Sequence, residues 1–218
     1  MLTLTNILLL TGAYLLGSIP TAVWIGKCFY GIDVREHGSG NAGATNVFRV
    51  LGKKAGIPVL LIDILKGFLA VKLAYFNNDL TDSYQFVNIQ LALGMTSLAG
   101  HIFPIFASFR GGKGIATLLG VVLAILPYAA LISIGIFLIV LLISGYVSLS
   151  SMAAAVSFPI VIVFIFKVKI PSLIVFSVLI AILVLITHQK NIVRLFRKQE
   201  SKVNLFKKKK TDSTQTKL

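Results

Sequence analysis

The chain has few charged residues and very few acidic ones. Only 13% of its 218 residues are Asp, Glu, Lys or Arg, while 56% are hydrophobic, and soluble domains carry about 25% charged residues. There is too little polar surface to coat a water-soluble domain. Seven acidic residues stand against 21 Lys and Arg, and a basic excess beside apolar runs is typical of loops that stay on the cytoplasmic side of a membrane. The composition predicts an integral membrane protein.

Cysteine and clustered acidic residues are also scarce. Cys28 is the only cysteine, which excludes a disulfide scaffold and any multi-cysteine zinc or iron–sulfur site. The five aspartates are scattered along the chain. We therefore expect no metal and no other cofactor.

Runs without charged residues divide the chain into candidate membrane spans. A spanning helix needs about 20 residues, and the run over 114–166 has room for two spans or three. The basic loop before this run and the basic C-terminal end should lie on the same side, so we expect an even number of spans between them. The predicted fold is all-α, with seven transmembrane helices, the N-terminus outside and the C-terminus cytoplasmic; six spans is the alternative. The spans are 1–26, 55–76, 83–109, three within 114–166, and 170–187.

The C-terminal end is strongly basic. We predict a single transmembrane domain over 1–190 and a basic cytoplasmic tail over 191–218, which includes the lysine run 207–210. The charge of this segment alone would also be compatible with binding to nucleic acid. Beside a membrane, however, such a segment is expected to bind anionic lipid, so we expect the bilayer, and no nucleic acid, as its partner.

Most polar side chains suited to chemistry fall in four predicted cytoplasmic segments, 27–54, 108–114, 144–151 and 188 onward. A transporter would be expected to place its key groups near the bilayer midplane. Because these polar side chains instead gather at one face of the membrane, the sequence predicts a site at the cytoplasmic surface. A small transporter of an organic anion or lipid phosphate is the alternative.

The first cytoplasmic loop is rich in glycine and short polar side chains. Glycine allows positive φ angles and close backbone approach, so that neighbouring N–H groups can converge on an anion. Thr45 or Asn46 could also cap the helix that follows. We predict an anion-binding loop, although the same residues would suit a tight turn that only permits close packing. Its candidate residues are Ser39, Gly40, Asn41, Gly43, Ala44, Thr45, Asn46 and Arg49.

The second loop places a lysine among glycines at the start of a membrane helix. Lys113 follows Gly111 and Gly112 and precedes Gly114, which is typical of a phosphate contact. The pattern is not a Walker A motif, because Gly rather than Ser or Thr follows the lysine. The alternative is an interfacial lysine that extends toward lipid headgroups, with glycines for helix packing.

His101, Asp63 and Lys66 are ionisable residues within the predicted membrane spans. His101 is a functional candidate because of its place in a membrane segment, with either a catalytic or an orienting role. Along a continuous helix it would lie about three turns from Lys113. Asp63 and Lys66 are three residues apart and are expected to neutralise each other.

The remaining candidates come from the last two cytoplasmic segments. Ser148 lies in the third segment. His188 and Asn191 are one helical turn apart, so we expect them to share a face at the end of the last membrane helix.

Two long motifs carry a specific resemblance. The segments SGNAGATNVFR (39–49), and GHIFP (100–104) followed by GGKGIAT (111–117), are similar to SGNxGATNxxR and GHxFP…GGKGVAT. Segments at 146–149 and 188–195 resemble two further motifs. Together they resemble the bacterial acyl-phosphate:glycerol-3-phosphate acyltransferase family, over about residues 17–200.

The resemblance implies a seven-helix enzyme of the bacterial inner membrane, with its site facing the cytoplasm. It implies acyl transfer from acyl phosphate to glycerol 3-phosphate, giving 1-acylglycerol 3-phosphate, and we expect a monomer. The proton acceptor stays open between His101, His188 and the substrate phosphate. The implied catalytic residues are Ser39, Asn41, Asn46, His101 and Lys113. The implied substrate-binding residues are Ser39, Gly40, Asn41, Gly43, Ala44, Thr45, Arg49, Lys113, Ser148, His188 and Asn191.

Overall fold

The computed structural model describes residues 3–77 and 82–203, and this part of the chain contains helices and no β-strand. Short connections join most of the helices. The ten α-helices of the described part are α1 (Leu4–Ser18), α2 (Thr21–Tyr30), α3 (Ala44–Val50), α4 (Lys53–Lys72), α5 (Ser83–Ile102), α6 (Ile115–Ile125), α7 (Pro127–Ser144), α8 (Val147–Ile160), α9 (Pro171–Thr187) and α10 (Gln189–Phe196).

Each predicted span contains a helix, and the all-α prediction is confirmed for the described part. Three segments are long and apolar enough to span a membrane by themselves: Ser83–Ala107, Pro127–Ser144 and Val147–Ile165. The bent pairs α1–α2 and α9–α10 raise the number to five if each pair is one span. In contrast, α4 carries several charged residues and α6 has only 11 residues. The count of seven and the orientation therefore stay predictions.

The first predicted span is broken rather than continuous. Pro20 separates α1 from α2, and the two helices meet at a bend of 41°. Proline has no N–H group, and its ring collides with the preceding turn of a helix. The carbonyl of Ile19 beside the break accepts a hydrogen bond from Lys66 Nζ at 2.9 Å, so a side chain of α4 supplies a donor there.

The intramembrane ion pair predicted from the sequence is confirmed. Lys66 Nζ lies 2.9 Å from Asp63 Oδ1, and both side chains are buried. Thr21 Oγ1 also donates to Asp63 Oδ1, at 3.1 Å. Because a buried charge is costly unless it is paired and hydrogen-bonded, these contacts allow α4 to carry both groups through an apolar interior.

Helices α4 and α6 approach closely because glycine lies at their crossing. A Cβ atom on Gly67 would be 2.1 Å from the carbonyl oxygen of Thr117, and one on Gly120 would be 1.9 Å from that of Ile64. A larger residue would force the two backbones apart. This packing holds the start of α6, and the loop before it, close to α4.

The four predicted cytoplasmic segments meet at one end of the helical body. Arg35 Nη1 donates to the carbonyl of Ala107 at 2.9 Å, which joins the first loop to the second. The N–H of Val203 donates to the carbonyl of Gly145 at 2.9 Å, which joins the segment after α10 to the α7–α8 junction. Residues far apart in sequence are thereby collected in one site.

Candidate functional site

A cavity of about 410 Å³ lies where these segments meet. Its polar end is formed by the motif loops, and its apolar part extends between α4, α6, α7 and α8. Every candidate residue named from the sequence lines this cavity except Gly40. The structure therefore brings the predicted site residues together, while their individual roles stay predictions.

Asn46 organises the first loop. Its Oδ1 atom accepts hydrogen bonds from Ser39 N at 2.8 Å and Ser39 Oγ at 3.1 Å, and its Nδ2 atom donates to the carbonyls of Val34 and His37. The side chain is 1% exposed. A Cβ on Gly38, which has φ +61°, would lie 2.4 Å from Asn46 Oδ1. The amide thus holds the loop in a fixed shape.

The predicted helix cap is wrong. Helix α3 begins at Ala44 with Gly43 as its N-cap, and no side chain caps it. Asn46 is the third residue of the helix, and its amide forms hydrogen bonds with the backbone of the preceding loop instead. The N–H groups of Ala44 and Thr45 are at the start of α3, where a helix leaves its first donors without intrahelical partners, and both residues line the cavity.

Arg35 fastens the first loop to the second. Its guanidinium pairs with Asp33, with 2.7 Å between Nη2 and Oδ2, and donates to the carbonyls of Ala107 and Arg110. The hydrogen bonds from Arg35 hold the pKa of Asp33 far below its ordinary value, although partial burial opposes them. These contacts of Arg35 were not predicted from the sequence, because the residues that they join are distant along the chain.

The second loop folds back on the end of α5. The N–H groups of Gly111 and Gly112 donate to the carbonyls of Ile102 and His101 at 3.1 and 3.2 Å. A Cβ on Gly112 would lie 2.3 Å from His101 Nε2 and 3.1 Å from the carbonyl oxygen of Ala42. His101 is therefore beside the glycine loop rather than three turns away, since the chain does not continue as a helix after Ile102.

His101 joins the cavity to the buried ion pair. Its Nδ1 atom lies 3.1 Å from Thr117 Oγ1 and 3.7 Å from Asp63 Oδ1. A carboxylate on this side favours a proton on Nδ1, which leaves Nε2 as the acceptor nitrogen beside Gly112. The structure thus gives this histidine a defined orientation at the cavity wall.

A second polar network holds Lys113. Its ammonium donates to Asn191 Oδ1, and Asn191 Nδ2 donates to Glu200 Oε1 at 2.6 Å. Ser148 Oγ donates to the same oxygen at 2.7 Å, and Arg194 Nε donates to Glu200 Oε2 at 2.8 Å. One carboxylate therefore joins the start of α8, helix α10 and, through Asn191, the glycine loop.

The charges in this network perturb one another. Burial lowers the pKa of Lys113 to about 8, although Glu200 opposes the shift; Arg194 and Arg49 lower the pKa further. Burial alone would raise the pKa of Glu200, but the hydrogen bonds from Asn191 and Ser148 and the charge of Arg194 hold it below its ordinary value. Three cationic side chains against one carboxylate leave this end of the cavity positive and suited to an anion.

His188 occupies the bend between α9 and α10 rather than the end of a straight helix. Helix α9 ends at Thr187, and the chain turns by 60° before Asn191. His188 Nδ1 lies 2.8 Å from the carbonyl oxygen of Val184. A carbonyl only accepts, so Nδ1 carries the proton, and Nε2 is the acceptor nitrogen of the neutral ring.

The opposite part of the cavity is apolar. Helix α7 lines it with Ala130, Ile134, Phe137 and Leu138, whose spacing places them on one helical face. Side chains of α4, α6, α8 and α9 form the remaining wall. No group of three or more His, Cys, Asp or Glu side chains comes together within 3–77 and 82–203. The arrangement offers a cationic pocket joined to a hydrophobic groove.

Comparison with known proteins identifies the family to which this protein belongs. A family model described as glycerol-3-phosphate acyltransferase matches residues 7–198. The chain belongs to the glycerol-3-phosphate acyltransferase family. Within the family, it is 48% identical to the glycerol-3-phosphate acyltransferase of Chlorobium limicola over 164 residues, which are 73% of this chain and 70% of the relative. It is 47% identical to that of Chlorobaculum tepidum over the same length, with 73% and 71% covered.

Solved structures of the family agree with the fold. The chain is similar to the crystal structure of PlsY (YgiH), an integral membrane glycerol 3-phosphate acyltransferase, in its glycerol 3-phosphate form, with TM-score 0.81 and 38% identity over 91% of this chain and 95% of that one. The lysophosphatidic acid form matches with TM-score 0.77 and 39% identity, over 90% and 94%. This family member is thus a multi-pass integral membrane protein.

The contribution of Glu200 and Arg194 to the cavity of this acyltransferase was not predicted from the sequence. Glu200 and Arg194 line the cavity and hold the Lys113 network. Both lie in 191–218, the range expected to be a tail. Within this range Asn191, Glu200 and Val203 form hydrogen bonds with Lys113, Ser148 and Gly145. The signals in the sequence were the place of Arg194 in the 188–195 motif and, for Glu200, a glutamate among many basic residues. The lysine run at 207–210 lies outside the described residues.

Proposed function

We propose that this acyltransferase moves an acyl group from acyl phosphate to the sn-1 hydroxyl of glycerol 3-phosphate. The products are 1-acylglycerol 3-phosphate (lysophosphatidic acid) and phosphate. The single observation that carries the proposal is the cavity, which joins a cationic end to an apolar groove. Such a site suits two phosphorylated substrates of which one carries a long hydrocarbon chain. The related PlsY structures include a glycerol 3-phosphate form and a lysophosphatidic acid form, which supports this choice.

The two phosphates have separate positions in this proposal. The loop over 39–46 receives the acyl-phosphate headgroup, using Ser39, Asn41 and the N–H groups at the start of α3. Arg49 and Lys113 pair with glycerol 3-phosphate, and the loop shaped by Asn46 keeps the N–H groups in place. Further contacts to glycerol 3-phosphate come from His188 and Asn191, with Ser148 beside them.

The reaction needs no covalent enzyme intermediate. The acceptor hydroxyl oxygen attacks the acyl carbon, and the bond from that carbon to the bridging phosphate oxygen breaks, so phosphate leaves with the electron pair. N–H groups of the loop stabilise the charge that develops on the acyl and phosphate oxygens. Cationic side chains hold the acceptor close to the acyl carbon. The hydroxyl proton passes to one of three acceptors: His101 Nε2, His188 Nε2 or the substrate phosphate.

The distribution of basic residues also indicates on which side of the membrane the site lies. The loops that form the cationic end carry most of the basic residues, and basic loops of membrane proteins face the cytoplasm. We therefore place the site at the cytoplasmic face of the bacterial inner membrane, in a monomer. A transporter is less suitable, because it needs polar groups at the midplane, and the charged pair in α4 is already neutralised by its own contacts.

The test is a transfer assay with purified protein. Glycerol 3-phosphate is supplied with palmitoyl phosphate or with palmitoyl-CoA, in the presence of a chelator, and lysophosphatidic acid and phosphate are both measured. We expect equal amounts of the two products from palmitoyl phosphate alone. Product from the CoA donor alone would reject the proposed donor, and product from neither would favour the transporter.

Variants test the cationic end. Arg49→Ala and Lys113→Ala should each reduce turnover to background while the protein elutes from gel filtration as the wild type does. Lys54→Ala is the matched control, because this exposed lysine at the start of α4 does not line the cavity. A near-normal rate in either site variant removes that residue from the proposed site.

A further inference from the structure

The apolar groove is closed at its far end. Along α8 it extends from Ser148, beside the polar network, to Phe158. These residues are ten positions apart, so the depth along α8 is about 15 Å. Phe158 is 4% exposed, and Val122 of α6, which lines the same cavity and belongs to the same buried cluster, is 7% exposed. The far end is therefore part of the packed core rather than an opening.

A second helix gives a similar depth. Ala130 of α7 lines the same end and is fully buried, and fourteen residues separate it from Ser144 at the polar end of that helix. This separation corresponds to about 21 Å. With carbon–carbon bonds of about 1.5 Å, an extended hydrocarbon advances about 1.25 Å per carbon. Depths of about 15–21 Å therefore accommodate about 12 to 17 carbons.

We propose that this closed end, formed by Phe158, Ala130 and Val122, sets the acyl-chain length that the enzyme prefers. The inference rests on the proposed acyl-phosphate donor. Each methylene group that reaches the groove is buried against apolar side chains, which strengthens binding from water by about fourfold. A chain that reaches the wall gains nothing from further carbons along the groove axis, and must bend toward the half-buried side formed by Leu60 and Phe137.

Two neighbouring alanines on α8 provide a matched test. Ala153 and Ala154 are both half-buried, but only Ala154 lines the groove. Ala154 is six residues from Ser148, about 9 Å along the helix. Ala154→Leu should obstruct the groove after about seven carbons, so we expect the preferred donor to become much shorter. Ala153→Leu adds the same side chain outside the groove and should leave the preference unchanged.

A second substitution lengthens the groove at its closed end instead of obstructing it. Phe158→Leu shortens the side chain at the closed end and should move the preferred length one or two carbons upward. Its matched control is Phe164→Leu, because Phe164 is exposed and does not line the groove.

The experiment is a competition among saturated acyl phosphates of 8 to 20 carbons, with glycerol 3-phosphate as acceptor and the products measured by mass spectrometry. Ratios of kcat/KM are compared between each variant and the wild type in the same detergent, which cancels differences in donor partition. We expect the wild-type preference to peak between 12 and 17 carbons. Ala154→Leu should lower the ratio for a donor of 14 carbons relative to one of 8 carbons by about tenfold or more.

The outcomes are separable. A wild-type profile without a peak, or the same peak in the wild type, Ala154→Leu and Phe158→Leu, overturns the inference while leaving the reaction intact. No transfer from any acyl phosphate rejects the proposed function instead. Where Ala154→Leu does not fold, Ser133→Leu on α7 takes its place, because Ser133 also lines the groove. It lies eleven residues, about 16 Å, from Ser144, so we expect obstruction after about 13 carbons and a lower ratio for a donor of 16 carbons relative to one of 12.

Discussion

The charge of Lys113 should make catalysis sensitive to alkaline pH. Burial lowers the pKa of this lysine to about 8, and the protonated form is the one that pairs with a phosphate. As pH rises through 8 the ammonium loses its proton, so we expect kcat/KM for glycerol 3-phosphate to fall. A group of pKa 8 is about 90% protonated at pH 7 and about 10% at pH 9, which predicts a tenfold decrease.

The assay measures initial rates at subsaturating glycerol 3-phosphate between pH 6.5 and 10. Under these conditions kcat/KM reports the ionisation of the free enzyme and free substrate. A phosphate monoester has its second pKa at about 6, so the substrate does not change charge between pH 7.5 and 10. Spontaneous hydrolysis of the donor is measured at each pH without enzyme and subtracted.

Two variants test whether Lys113 causes the decrease of kcat/KM at alkaline pH. Arginine stays charged above pH 12, so Lys113→Arg should lack the decrease, even where its rate at pH 7 is lower. Lys27→Arg is the control, because Lys27 is mostly exposed and pairs with Asp33 outside the cavity. If Lys113→Arg loses activity over the same pH range as the wild type, ionisation of Lys113 does not cause the decrease.

Two further substitutions test the contacts of the site. Glu200→Gln removes the charge of a side chain that accepts three hydrogen bonds. If the substitution lowers the free energy of unfolding by about 2–3 kcal/mol, which is typical of hydrogen bonding to a charged group, the unfolding midpoint in detergent should fall by roughly 4–12 °C. An unchanged midpoint contradicts the proposed network. Gly112→Ala places a Cβ atom 2.3 Å from His101 Nε2, so turnover should fall by about tenfold or more. Gly135→Ala, with no atom within 4 Å of its added Cβ, should retain wild-type turnover, and equal rates in the two variants would show that the position of the imidazole does not matter.

Most of the candidate site could be predicted because its residues lie in short continuous motifs. The loops over 39–49 and 111–117 combine glycine, small donors and a cation within a few positions, and local backbone chemistry is enough to indicate an anion site. The helices were predictable for a similar reason, since long apolar runs need internal backbone hydrogen bonds in lipid. The helix boundaries at Pro127 and Gly145 also fall at residue types that commonly begin or end helices.

Other features depend on contacts between distant residues. The role of Asn46 differs from the predicted cap, because its partners, Val34 and His37, come from the preceding turn. Local spacing predicted a cap, but the tertiary contact supplies more hydrogen bonds to a buried amide. Likewise, the fold-back of the loop after Ile102 places His101 beside Gly112, which no helical periodicity could indicate.

The sequence by itself determined the membrane character of the chain, the approximate location of its helices and the residue types of the anion-binding loops. These depend on composition, on apolar run length and on local backbone freedom. Only the tertiary structure decided that Glu200 joins Ser148, Asn191 and Arg194, and that the groove ends at Phe158. Each of these features requires two or more helices to pack at a particular distance. Packing distances depend on close contacts such as the crossing of α4 and α6, where the backbones touch.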